Sequence, residues 1–412
     1  MTAAAPSRQH TTSKVSAVLA SFSAFLLVVF VITAAVIISA PTKGVRISDF
    51  DKYLNEVFIS SPGFVLFGFI VGVIVGLAFA VMVYRVWPDR RKRSDFIAGY
   101  LFLAPYLLIT LVFTLGVLLF AIYISFTKYD IFTDPVFVGI DNYIKAFETK
   151  DFKQSLYNVF WYALIVTTVQ TVLALLLAVF LNQKMRGKGL FRTVFYTPSV
   201  TSSVVISMIF WWLYLKTGWL NYSFASIWGL FGAEWQAIEW LNDPRGLIQL
   251  IAGVFGAEIP LSQWYLRGPS ITWMAIMFQN IFTTIPTFMI MFLAALQDIP
   301  TSLYEAADID GANGWRKLIH ITVPMLRPII LLIVVLGTIG TLQIFDQVKI
   351  LTSGSPLGTT LTPVFMVYSE ALGTTGAIQM GYASSMAFIL AIIIFIFAFV
   401  QRRYIERGTE QY

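Results

Sequence analysis

Two groups of residues are spaced for chemistry. Asn280, Thr283, Thr284 and Thr287 fall at i, i+3, i+4 and i+7, so a helix through them carries one stripe of amide and hydroxyl groups. Pro286 lies within the stripe, where its missing N–H is expected to loosen the helix and bare carbonyl oxygens. Farther along, Thr338, Gly340, Thr341 and Gln343 offer a second small and polar surface. Such groups exchange hydrogen bonds with a neutral, hydroxyl-rich solute, and Phe278, Phe282 and Phe288 beside them can pack on the C–H face of a ring. The same residue types also hold membrane helices together without touching solute, and both readings stay open.

The second group lies in the loop 297–327. Ser302 with Glu305 fits a capping box after Pro300, Gly311 suits a backbone reversal and Asn313 a second cap, so two short helices around a tight turn are predicted. The small side chains of Ala306 and Ala307 let another protein's surface approach closely, although local physics alone equally allows a plain connector. Covalent and metal chemistry has little material. The chain has no Cys and only two His, His10 in a polar tail and His320 in this loop, and no acids cluster with them. No cofactor is expected.

The elements that carry these groups follow from composition. Of 412 residues, 58% are apolar and 12% charged, with mean hydropathy +0.77. That excludes an ordinary water-soluble globule, which carries about 25% charged residues. A bilayer core about 30 Å thick needs roughly 20 apolar helical residues. Eight segments satisfy this, near 15–39, 64–84, 97–126, 156–181, 193–215, 271–296, 328–345 and 378–400, and none contains Asp, Glu, Lys, Arg or His. The fold class is therefore an all-α membrane protein with eight transmembrane helices. Lipid satisfies no backbone groups, and the alternating pattern of a barrel is missing. Midmembrane charges mark ion and proton pathways, so their absence favours a neutral solute.

Basic residues set the expected orientation. With the N-terminus inside, the inner segments hold 17 Lys and Arg against 8 acids, and the longer outer loops hold 11 against 14. Both termini are expected in the cytoplasm. The net charge of +6, concentrated in Arg90-Arg91-Lys92-Arg93 and in Lys184, Arg186, Lys188 and Arg192, reads as anchoring on anionic lipid and not as a nucleic-acid surface. The basic linker ending near residue 95 separates two accessory spans (1–95) from a six-span core (96–412). The outer loop 216–270 is rich in Trp, and its stretch 247–260 is too short to cross, so a helix at the interface or packed outside is expected. No internal repeat is apparent.

Glu305-Ala306-Ala307, Gly311, Ile321 and Pro324, with Val323 where leucine is usual, resemble the EAA loop of binding-protein-dependent ABC importer permeases. Phe102-Leu103-Ala104-Pro105-Tyr106, Ser125 to Asp130, Val138-Gly139-Ile140-Asp141-Asn142-Tyr143, Phe191-Arg192-Thr193, Phe345-Asp346, Leu351 to Pro356 and Gly381-Tyr382-Ala383-Ser384 resemble the maltose-type carbohydrate permeases in particular. One departure is Ser353 or Ser355 where that family commonly has a second glycine. The resemblance covers residues 96 onward. The first two spans match the maltose permease in layout alone.

The resemblance implies a type I permease core whose EAA loop is a coupling helix seated in a separate ATPase. It implies two cytoplasmic ATP-binding subunits, a second homologous permease, an extracytoplasmic solute-binding protein and a sugar substrate, in a bacterial or archaeal inner membrane. Glu305, Ala306, Ala307, Gly311, Ile321 and Pro324 would then couple to the ATPase. Asn280, Thr283, Thr284, Thr287, Gly340 and Gln343 would line the path. The missing G-x-x-x-x-G-K phosphate loop agrees with an ATPase on another chain. The main alternative is an ion-coupled secondary transporter of a neutral polar solute, whose sites also sit at midplane; an integral membrane enzyme lacks the acid, base or metal ligands it would need.

Overall fold

A computed structural model describes residues 102–406 except 104, 107, 108, 184, 185, 261 and 375. The expected spans 15–39 and 64–84 and the basic cluster 90–93 lie outside the described residues. The chain divides into two units at residues 138 and 139. The described part of the first holds a π-helical turn, Thr110–Gly116, leading into α1 (Val117–Ser125) and a two-stranded antiparallel ribbon, β1 (Thr127–Lys128) with β2 (Val136–Phe137), in which Thr127 faces Phe137. Asp130 closes the hairpin by accepting hydrogen bonds from the Phe132 and Thr133 amides and the Thr133 hydroxyl, and these bonds hold its carboxyl below the usual range.

The second unit is helical. After α2 (Asp141–Glu148) comes α3 (Lys150–Asn182), whose 33 residues span about 50 Å, well beyond the bilayer core. Then follow α4 (Lys188–Val200), α5 (Ser203–Leu213), α6 (Trp219–Leu230), α7 (Leu247–Val254) and α8 (Ile271–Gln297). The loop 297–327 contains α9 (Thr301–Ile309), α10 (Gly314–Lys317), a π-helical turn (Leu318–Thr322) and α11 (Val323–Met325). The unit ends with α12 (Arg327–Leu342), α13 (Asp346–Leu351), α14 (Pro363–Leu372) and α15 (Met380–Glu406). Among the described residues four stretches are long and apolar enough to cross a membrane: α3, α8, the run Arg327–Leu351 and Met380–Arg403.

The expected span 193–215 falls on two helices, α4 and α5, which are together long and apolar enough to cross but are bent by 95°. Pro198 removes an N–H from α4, and Thr201 and Ser202 are extended. Hydroxyls bond back to carbonyls along the end of α4, a pattern that bends helices: Thr197 Oγ1 donates to Thr193 O (2.9 Å), Ser199 Oγ to Tyr196 O (2.8 Å) and Thr201 Oγ1 to Thr197 O (3.0 Å). In the region 97–126, only a shorter apolar stretch, Phe113–Ser125, is described.

Helix α3 is the spine of this unit and packs against both α8 and α12. Ala174, Ala178 and Leu181 of α3 meet Met289, Phe292 and Leu296 of α8 and Ile333 of α12 in one buried cluster. A second cluster gathers Tyr162 and Val166 of α3, Trp273 and Ile276 of α8 and Val348 of α13. Trp273 Nε1 donates to Asn158 O at 2.9 Å, so the largest core side chain leaves no polar atom unpaired.

The stretch 216–270 contains two helices, α6 and α7, where one was expected within 247–260. Asn221 organises the first. Its carbonyl oxygen accepts from Trp235 Nε1 and the Ile238 amide, and its Nδ2 donates to the carbonyls of Lys216 and Ile238. The second is a closed excursion. Gly246 bridges Ser270, Leu247 N donates to Pro269 O, and a Cβ at Gly246 would collide with the Arg267 carbonyl. Asp243 takes a bidentate ion pair from Arg245 at 2.5 to 3.0 Å. Burial pushes that carboxyl up, but the guanidinium bonds outweigh it and hold it below the usual range.

The stretch also holds a short repeat, contrary to the expectation of none. Gly229-Leu-Phe-Gly-Ala-Glu234 recurs as Gly253-Val-Phe-Gly-Ala-Glu258, at the ends of α6 and α7.

Candidate coupling loop and solute path

The predicted helix–turn–helix loop forms. Gly311 adopts φ +72°, and Ala312 N donates to Ala307 O at 2.9 Å, closing α9 with a left-handed C-terminal turn. A Cβ at Gly311 would meet nothing within 4 Å, so glycine is required there by backbone conformation and not by crowding. Asn313 caps α10 as expected, accepting from Arg316 N at 2.9 Å. The Ser302–Glu305 capping box does not form. The N-cap is Pro300, which has no side-chain donor or acceptor, and α9 starts at Thr301, two residues before a Ser302 cap would start it.

The six signature residues divide by exposure. Glu305, Ala306 and Gly311 are exposed and Ala307 is half-buried, whereas Ile321 and Pro324 are half-buried at the root of the loop. Next to that root Leu326 is fully buried among Phe292, Leu296 and Ile299. The two arms are stapled by the Tyr304 and Thr322 hydroxyls at 2.9 Å and by the Lys317–Asp308 ion pair, contacts the sequence did not reveal. The loop also displays apolar side chains to solvent, with Ile309 88% and Trp315 64% exposed. His320 Nδ1 lies 3.0 Å from Arg316 O on an exposed face.

On α8 the predicted stripe is present. Asn280, Thr283 and Thr284 are half-buried and Thr287 is exposed. Their side-chain bonds stay on the same helix: Thr283 Oγ1 donates to the carbonyls of Gln279 and Asn280, and Thr284 Oγ1 to Asn280 Oδ1 at 3.4 Å. Helix α8 runs unbroken through Pro286, which is buried, so the expected loosening is not seen. Phe278 and Phe282 are exposed beside the stripe and lean on Phe210 of α5 at 6.2 and 5.7 Å, while Phe288 is buried in the core. On α12 and just beyond it, Gly340 and Gln343 are exposed and nothing lies within 4 Å of a Cβ at Gly340.

Thr338 and Thr341, read with them as one surface, instead face inward. Thr341 Oγ1 meets Thr167 Oγ1 at 3.2 Å, and Thr338 Oγ1 accepts from Gln401 Nε2 at 2.8 Å. Beside them Gln170 is 1% exposed, and neither its amide nitrogen nor its oxygen has a partner among the described residues. Gln279, adjacent to the stripe, is also buried and donates to Ser207 Oγ at 2.8 Å.

The motif Leu351 to Pro356 forms a turn at the end of the bundle opposite the loop 297–327. Asn158 Nδ2 of α3 donates to Gly358 O and Leu361 O, both at 2.9 Å, and Gln154 Nε2 donates to Leu357 O at 3.1 Å. Ser353 adopts φ +48° and Gly354 φ +86°, so the serine occupies a conformation that suits glycine. Asp346 is exposed at the start of α13. Glu370 on α14 is half-buried; burial pushes its carboxyl up, and Lys145 opposes this.

The model of the family described as "Binding-protein-dependent transport system inner membrane component" matches residues 170–410. YesP of Bacillus subtilis (strain 168), named a probable ABC transporter permease protein, is 33% identical over 310 residues, covering 74% of this chain and 89% of its own length. LacF of Rhizobium radiobacter, named a lactose transport system permease protein, is 32% identical over 314 residues, 75% of this chain and 94% of its own. A solved bacterial ABC transporter involved in import of the acidic polysaccharide alginate shares the fold, with TM-score 0.61 and 19% identity over 79% of this chain and 99% of that one. The secondary-transporter reading finds no support among these relatives. The family match and the two relatives each span more than half the chain, so it belongs to the binding-protein-dependent transport system inner membrane components, the permease subunits of ABC importers, which leave ATP hydrolysis to a separate subunit.

Proposed function

We propose that this chain forms half of the path by which a di- or oligosaccharide enters the cell, moved by ATP that two cytoplasmic partner subunits hydrolyse. The observation that carries the reading is Glu305-Ala306-Ala307 and Gly311 on an exposed two-helix loop, in a chain of this family. Glu305, Ala306, Ala307 and Gly311 seat the loop on the ATPase, and Ile321 and Pro324 tie it to the spans, so closure of the ATPases around ATP swings the helices and switches the path. Exposed Ile309 and Trp315 support this, because apolar side chains held in water mark a surface that a partner covers.

The path itself is assigned to Asn280, Thr283, Thr284, Thr287, Gly340 and Gln343. Their half-exposed, uncharged groups suit sugar hydroxyls, and relatives such as the lactose permease support a carbohydrate cargo. The working assembly comprises this chain with eight spans and cytoplasmic termini, a second homologous permease, two ATPase copies and an extracytoplasmic binding protein that docks on the stretch 216–270.

Gly311→Val tests the coupling assignment. A β-branched residue at φ +72° distorts the turn, so ATPase copurification and uptake are lost while membrane insertion is kept; normal uptake overturns the assignment. Mass spectrometry of the small molecule retained by the binding protein of the purified complex tests the cargo, and an ion or amino acid there overturns a sugar. Deleting residues 246–268 tests docking, and unchanged capture of the binding protein sinks that part.

A further inference from the structure

The repeated hexapeptide folds the same way twice. Phe231 and Phe255 sit at φ, ψ of −97°, 7° and −92°, 8°, and Gly232 and Gly256 follow at φ +69° and +78°. Ala233 N donates to Trp228 O at 3.1 Å and Ala257 N to Ala252 O at 2.9 Å, the six-to-one bond that closes a helix on a left-handed glycine. Each copy is a rigid turn, and each carries two large apolar side chains outward. Leu230, Phe231, Val254 and Phe255 are 84, 82, 84 and 83% exposed. Glu234 and Glu258 follow three residues after each phenylalanine, both exposed.

The helices behind these tips are firmly held. Phe224 of α6 stacks on Trp235 at 4.9 Å, and on α7 Ile248 N and Gln249 N both donate to Arg267 O. Both are tied to the ends of membrane helices: Tyr214, which caps α5, lies against Trp240, and Tyr157 of α3 against Trp264 at 5.4 Å. The exposed apolar face of α5, with Val205, Met208, Ile209 and Trp212, leads to α6 within a few residues. Apolar helices of an inner membrane component lie in the bilayer; α6 begins six residues after α5 ends, and Gly246, just before α7, bridges Ser270, just before α8, so both tips stand on helices rooted at the bilayer boundary.

We infer that Leu230-Phe231 and Val254-Phe255 are paired anchors in the lipid leaflet at the end of the bundle opposite the coupling loop. The apolar pairs insert among the upper acyl chains, and Glu234 and Glu258 stay at the water side of the headgroups. Aromatic and aliphatic side chains on short surface helices favour that boundary. Two anchors on separate helices fix the stretch 216–270 flat against the membrane. The inference rests on membrane placement of the spans and not on which solute they carry.

The chain has no native cysteine, so single labels are clean. Phe231→Cys, Phe255→Cys, Glu234→Cys and Glu258→Cys are each spin-labelled in the assembled transporter, its partners made cysteine-free, in phosphatidylethanolamine–phosphatidylglycerol vesicles. Collision rates are read with oxygen, which partitions into lipid, and with a water-soluble nickel chelate. The expected result is oxygen-dominated collision at both phenylalanine sites and nickel-dominated collision at both glutamate sites. Nickel-dominated collision at the phenylalanine sites places the tips in water and overturns the inference. So does shielding from both reagents with an immobilised spectrum, which assigns the tips to a protein partner. The tips contact little else, so the labelled variants assemble normally, and gel filtration of each complex verifies this.

Discussion

Helices α8 and α12 bear two sets of hydroxyl and amide groups that the sequence cannot tell apart. Asn280, Thr283, Thr284 and Thr287 are half-buried or exposed, and among the described residues the first three bond only within α8. Thr338 and Thr341 are buried, and bond across to Gln401 of α15 and Thr167 of α3. The first set has spare hydrogen-bonding capacity at partly exposed positions, which a solute needs. The second spends its capacity on neighbouring helices, which packing needs. Polarity within a span is therefore no guide to function until the partner of each group is known, and Gly337 and Gly340 make the same distinction without any polar atom.

The largest test of this contrast uses those two glycines, three residues apart on α12. A Cβ at Gly337 would meet Gln170 Nε2 at 2.9 Å, Thr167 Cγ2 at 3.3 Å and Phe288 Cε2 at 3.4 Å, whereas a Cβ at Gly340 meets nothing. Gly337→Leu is expected to cost about 3 kcal/mol through overpacking, read as a lower unfolding midpoint of the purified complex. Gly340→Leu should leave the midpoint unchanged and obstruct uptake of the solute that the binding protein retains. Equal destabilisation by both would erase the contrast.

A smaller effect is expected at Asn280. Among the described residues its side chain takes only the long bond from Thr284, so Asn280→Ala leaves stability intact. If it donates or accepts one hydrogen bond with the solute, the apparent KM for uptake rises about tenfold, near the upper end for a neutral bond. Thr341→Val is the converse, costing about 0.6 kcal/mol of stability for a lost interhelical bond with KM unchanged. Kinetics that respond to Thr341 and not to Asn280 would reverse the two roles.

Which parts of this arrangement were legible in the sequence follows from the range of the forces involved. The coupling loop was legible because Gly311 and Asn313 act within a few residues, through a left-handed turn and an N-cap. The capping box failed within the same loop, since Pro300 fixes the entry of α9 without any side-chain bond. Spans are legible from hydropathy, but hydropathy is blind to direction. The bend between α4 and α5 leaves the apolar count intact, and its signal lies in Pro198 among Thr197, Ser199, Thr201 and Ser202. Contacts such as Trp273 with Asn158, or Thr167 with Thr341, join residues more than 100 positions apart. Periodicity carries no information about them. The hexapeptide at the ends of α6 and α7 was legible in principle, but it lies within a loop where helices were not both expected.

The smallest effect is expected at Gln170, and its sign is informative. Both amide atoms are buried without a partner among the described residues, beside Gly337 on the closed side of α12. A buried amide that lacks partners carries a desolvation cost, and an apolar replacement of similar shape removes it. Gln170→Met keeps the length and flexibility of the side chain, so the unfolding midpoint of the complex should rise slightly, by the equivalent of a few tenths of a kcal/mol, with uptake unchanged. If the variant is as stable as expected but transports poorly, Gln170 gains its partners in another conformation of the permease. The buried set would then take part in the transport cycle, and the division between packing and path would have to move from α12 to α3.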